Sequence, residues 1–250
     1  MHIQKCDEKS AFSLINELLK VDAITKEVGK PGTDTYYKNI DVKAKYSDWE
    51  YQSFLNEHVK QFILLSENKS QYLAHLFNHL LNTLNLETDS DGHDYSWMWR
   101  NTLEDNEQTR HISGVKEYLL ILLRDLSIAL IKKDSNQFKV INQELNQNKY
   151  KWKIFERLSI YLSVKFLEID LNLTNRLISN TGLYENLHTR NEYSLLLDSA
   201  FKLVSKNTQH TVYDWIEDGF DLKNTSRNMR SLKKIHLAKK ILKITKITGK

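Results

Sequence analysis

Two imidazoles stand one helical turn apart in His75-Leu-Phe-Asn-His79, which is zinc-ligand spacing on a helix. A metalloprotease needs a glutamate directly after the first histidine as general base, and Leu76 occupies that position. No third ligand is obvious nearby, so the expectation is a pair of ordinary surface or half-buried histidines. Glu87-Thr-Asp-Ser-Asp-Gly92 resembles the start of a calcium loop, with acids at positions one, three and five and glycine at six. Position twelve should be a bidentate glutamate and is Met98, which favours a solvated acidic connection turned by Gly92. Asp41-Val-Lys43 and Asp221-Leu-Lys223 match the D-x-K core of metal-dependent nucleases, where carboxylates hold Mg²⁺ and lysine stabilises the leaving charge. In such enzymes the triplet lies on a strand after another acid, whereas these surroundings read as helical or irregular. The sequence contains no phosphate loop, no dinucleotide fingerprint and no nucleophile elbow. No catalytic residue, cofactor or metal ligand is therefore assigned.

The elements that must position these residues read as helices. One proline and seven glycines in 250 residues are too few for the turns of a β-sandwich or an α/β domain. Helical stripes run through 10–28, the helix opened by the capping box Ser47-Asp-Trp-Glu50, 73–84, 95–109, 115–131, 138–145, 152–167, 171–179, 193–204 and 208–218. The segment 30–46 reads as irregular and as the natural hinge, and Asn180-Thr-Gly182 reads as a helix C-cap. The most apolar helix, 115–131, is expected to lie between neighbours. The five tryptophans, Trp49, Trp97, Trp99, Trp152 and Trp215, fall near helix ends within apolar patterns, and packing between helices is the expected role.

The fold class is all-α: about eleven consecutive antiparallel helices, arranged as a HEAT-like α-solenoid or an irregular helical array. The hairpin starts recur roughly every 36 to 40 residues, near the HEAT repeat length. Glu117-Tyr-Leu-Leu-Ile-Leu122 and Glu192-Tyr-Ser-Leu-Leu-Leu197 are similar to one another. Three regions follow: an N-terminal helix and hinge (1–46), a helical-repeat body (47–220) and a basic amphipathic C-terminal helix (221–250).

Charge is uneven. Residues 221–250 hold ten Lys/Arg and one acid, leaving 26 basic and 31 acidic residues in the rest. Arg227, Arg230, Lys233, Lys234, Lys239, Lys240 and Lys243 are the candidate phosphate-binding set, able to neutralise a nucleic-acid backbone without reading sequence. The terminal segment lacks Trp and Phe, which argues against a membrane surface. The expectation is instead that it docks as the last helix of the array. Cys6 is the sole cysteine, which excludes an internal disulfide and fits a reducing compartment. The polar start of the chain lacks the apolar core of a signal peptide. These features imply a cytoplasmic location.

Four segments together resemble a known family. They are Tyr95-Ser-Trp-Met-Trp-Arg100 with Glu104 and Glu107-Gln108, Ile154-Phe-Glu-Arg-Leu-Ser-Ile-Tyr-Leu162, Glu192-Tyr-Ser-Leu-Leu-Leu197 with Phe201, and Trp215-Ile-Glu-Asp-Gly219. Their order and spacing resemble the helical-repeat sensor region of large bacterial STAND-type NTPases associated with phage defence. The resemblance covers about half the chain and includes neither effector domain nor ATPase motif. It implies a fragment, or a stand-alone relative, of the partner-sensing part. The resulting expectation is a non-enzymatic scaffold that binds a protein partner, with a nucleic-acid-associated module as the alternative.

Overall fold

A computed structural model describes residues 7–29, 31–32, 37–87, 94–106 and 112–218. The described chain is mostly helical, with one two-stranded antiparallel hairpin. It divides into two compact units, 1–155 and 156–250.

In the first unit, α1 (Glu8–Leu18) starts at Asp7, whose carboxylate accepts from Ser10 N, and buries Ala11 and Ile15. The helix stops there. Residues 21–28, read from sequence as its continuation, form strand β1 (Val21–Val28), and residues 37–44 of the segment read as a hinge form strand β2 (Tyr37–Ala44). The register pairs Val21 with Ala44, Ala23 with Val42 and Thr25 with Ile40. These residues share one face of the hairpin, and Val42 is its buried member. The β-branched Val21, Ile24 and Thr25 favour the strand. A lone hairpin is marginal in water; this one packs on the long helix α4 (Lys69–Glu87).

Ser47 opens α2 (Asp48–Phe54) with the expected reciprocal cap: Glu50 N donates to Ser47 Oγ at 3.4 Å and Ser47 N to Glu50 Oε2 at 3.0 Å. A π-helical segment, Leu55–Val59, follows and leads into α3 (Lys60–Leu65). The reason lies in the core residues Tyr51, Leu55, Val59 and Ile63, which recur every four positions. On an α-helix each such step overshoots a full turn by about 40°, so Ile63 would drift roughly 120° from Tyr51. The wider π turn, in which Lys60 N–H reaches Leu55 O, brings all four back onto one buried face.

The central helix α6 (Val115–Lys133) is buried on most faces, as its apolar composition requires. It packs against α4 and α7 (Asn136–Leu145). Phe77, Tyr150 and Phe155 fill one side of this core, with the rings of Tyr150 and Phe155 4.5 Å apart. Each fully buried Leu or Phe here contributes about 1.5–3 kcal/mol.

The unit boundary falls inside α8 (Lys153–Lys165). The second unit continues with α9 (Leu171–Ile178), α10 (Thr181–Glu185), α11 (Arg190–Ala200) and α12 (Lys206–Asp218). Its core gathers Ile160, Ile178, Tyr193, Leu196, Leu197 and Val212. Asn180 does not end α9 in the way the sequence implied. Its side chain accepts from Gly182 N at 2.9 Å and so caps the start of α10, and Gly182 is not among the positive-φ glycines. Among the described residues, no helix is long and apolar enough to cross a membrane.

Candidate functional site

The segment expected as a helix over 95–109 is a single turn, α5 (Ser96–Trp99), and then leaves helical geometry at Arg100. Tertiary bonds explain the early stop. Asp94 Oδ1 accepts from Ser96 N at 2.8 Å, and Asp94 Oδ2 accepts from Lys153 N, fixing the entry. At the exit the Arg100 side chain turns inward, 1% exposed, and donates to Glu117 Oε1 at 3.0 Å. Glu117 Oε2 takes Ser113 N at 2.9 Å. The following loop is tied down by Arg124, which donates to Leu103 O at 2.8 Å and forks onto Asp105 at 2.6 and 2.8 Å. Charge-assisted bonds thus clamp α5 at both ends, although it is too short to be stable by itself.

This clamped turn presents apolar side chains to solvent. Trp97 is 45% exposed, Met98 63% and Tyr95 50%, while Ser96 is buried. Trp49 is 74% exposed. Packing between helices, the role expected of the tryptophans, therefore fails for Trp49 and Trp97. It holds for Trp215, whose ring lies 5.4 Å from Tyr184 at the second core. Trp152 donates through its indole N–H to Asn85 Oδ1 at 2.9 Å.

Trp99 faces a pocket of about 440 Å³ lined also by Asp41, Glu87, Gly114, Lys116 and Glu117. Lys116 pairs with Glu87 and lies 5.1 Å above the Trp99 ring. Each acid lining the pocket already has a cation: Lys116 on Glu87, Arg100 on Glu117, and Lys26 on Asp41 at 2.6 Å. The Lys26 bond holds the Asp41 carboxyl below the usual range. Asp41 and Lys43 do lie on a strand, correcting the reading of that triplet as irregular. Among the described residues, however, no three His, Cys, Asp or Glu side chains are placed to hold a metal ion. Of the calcium-loop match, Glu87 is committed to Lys116, and residues 88–92 lie outside the described residues.

Two buried arginine–glutamate pairs carry no signature in the sequence. Besides Arg100–Glu117, Arg157 in the second unit donates through Nε and a terminal nitrogen to Glu192 at 2.8 and 2.9 Å, with both side chains 0% exposed. Glu117 and Glu192 open the two similar hexapeptides. The tyrosine after each also plays the same part: Tyr118 donates to Ile112 O at 3.4 Å and Tyr193 to Ile178 O at 2.7 Å. These bonds are not legible in the hexapeptides themselves.

The basic candidates Arg227, Arg230, Lys233, Lys234, Lys239, Lys240 and Lys243 lie outside the described residues, as does the expected docking of the terminal helix. No protein-family model matches the chain, and neither the curated proteins nor the solved structures contain a significant match to it.

Proposed function

We propose that the chain is a non-enzymatic helical scaffold that binds a protein partner, with α5 as its contact point. The observation that carries this reading is the exposure of Tyr95, Trp97 and Met98 on a turn clamped by Asp94 and Arg100. Aromatic residues and methionine are enriched at interface cores, and tryptophan and tyrosine supply much of the binding energy. A clamped turn loses little entropy when it is covered. The HEAT-like arrangement and the kinship with STAND-type sensor regions belong to the same proposal. They are supported by the matching Glu-Tyr bonding in the two units and by the four quoted segments. Affinity capture with the purified chain and with a Trp97→Ser/Met98→Ser variant tests the reading. The parent recovers a stoichiometric protein that the equally stable variant loses. Equal recovery by both, or a turnover activity in the purified chain, overturns it.

The second reading, a nucleic-acid-associated module, is favoured by the ten Lys/Arg against one acid in residues 221–250. A gel-shift titration separates it: a mobility shift at low salt that fades at moderate salt supports it, and no shift at low salt removes it.

A further inference from the structure

His75 and His79 face each other on α4, with their Nε2 atoms 3.2 Å apart. His79 Nε2 also lies 3.5 Å from Oδ1 of Asn16, which α1 brings across. The rings meet at 78°, and the Phe12 ring packs edge-on 4.7 Å from His75, which fixes that imidazole. One explanation is a simple N–H···N bond between neutral rings. The same His79 N–H reaches Asn16 Oδ1 as a second, longer acceptor, so the contacts are satisfied when no cation is present.

A cation accounts for all three atoms. Two imidazole nitrogens bound to zinc at about 2.0–2.1 Å in a tetrahedral field are roughly 3.3–3.4 Å apart. The observed spacings, 3.2 Å between the nitrogens and 3.5 Å to the amide oxygen, bracket that value. All three side chains are half-buried, so solvent can reach the remaining coordination position. The two imidazole nitrogens select zinc, nickel or copper over calcium or magnesium, and the amide oxygen adds a weaker third donor.

We propose that Asn16, His75 and His79 form a binding site for an imidazole-preferring divalent cation of the zinc class, with water completing the shell. The site joins α1 to α4, so occupancy tightens the contact between those helices. The spacing of the histidines is visible in the sequence, but Asn16, 59 positions before His75, reaches the pair only through the fold.

The test is calorimetric titration of zinc chloride into the full-length, tag-free chain, with thermal melting in zinc and in chelator. The expected result is one zinc per chain and a melting midpoint raised by zinc. His75→Ala and His79→Ala each abolish that isotherm, and Asn16→Asp, which supplies an anionic oxygen, tightens it. Where an alanine variant fails to fold, imidazole ¹⁵N shifts of the parent with zinc and with chelator decide. Movement of both Nε2 signals supports the site. No binding by the parent at millimolar zinc, or an unchanged isotherm in both folded histidine variants, overturns it; so do unmoved Nε2 signals.

Discussion

Removing Glu192 while leaving Arg157 in place strands a guanidinium inside the second unit, where both side chains are fully buried. The carboxylate accepts from Arg157 Nε and from a terminal nitrogen at 2.8 and 2.9 Å, so Glu192→Leu deletes a bidentate, charge-assisted pair. Breaking a buried pair from one side costs about 3–5 kcal/mol, because the surviving charge loses its counter-ion where solvent does not reach it. Replacing both members, Arg157→Met with Glu192→Leu, removes the charge as well and is neutral or stabilising, by up to about 4 kcal/mol. The double variant is therefore more stable than Glu192→Leu by roughly 3 kcal/mol or more, a strongly non-additive result. Urea unfolding of the parent, both single variants and the double variant measures this coupling, and hydrogen exchange of α8 and α11 locates the loss. The reasoning is refuted if Glu192→Leu costs less than about 1 kcal/mol, or if the two single effects add.

Three further outcomes follow from the same structure. Tyr51 is buried, and its hydroxyl has no hydrogen-bond partner among the described residues, so Tyr51→Phe leaves stability unchanged or raises it by about 1 kcal/mol in a denaturant melt. Deleting the exposed Glu57 gives the core residues of α2 and α3 steps of four, three and four, which an α-helix holds on one face. The π segment should revert to α-helix, with a melting point within a few degrees of the parent; a collapsed fold would contradict the explanation of the π turn. His79 has a folded pKa of about 4 against an ordinary 6.5, so its share of stability is present above pH 6.5 and is lost as pH falls from 6.5 towards 4. His79→Gln flattens the stability curve in that window, and an unchanged slope speaks against the burial of that ring.

The legible part of the fold was the part written locally. The capping box at Ser47, the stripe from Leu73 to Leu84 and the apolar helix from Val115 each declare themselves within one or two turns of sequence. The hairpin did not. Its inner face carries Ala23 and Thr25 beside Val21, too weak an alternation to register, and its partner strand begins beyond the turn residues Gly29, Pro31 and Gly32. The sequence predicts a longer α5 because Leu103 continues its apolar spacing. What ends it is a bond from Arg100 to Glu117, 17 residues away. The expectation that the exposed aromatics pack between helices has the same origin: a sequence shows a tryptophan's position on an element but not what stands opposite. Arg157 and Glu192 are 35 residues apart and look like ordinary surface charges until the fold joins them.

The claim that α5 is a partner-binding surface is tested most directly by placing a photo-crosslinking amino acid at Trp97 or at Met98 and irradiating the chain in its native cell extract. A control variant carries the crosslinker at exposed Lys202 in the second unit. The account predicts one discrete protein adduct from positions 97 and 98 and none from the control. Equal adducts from all three positions, or adducts from the control alone, would contradict it.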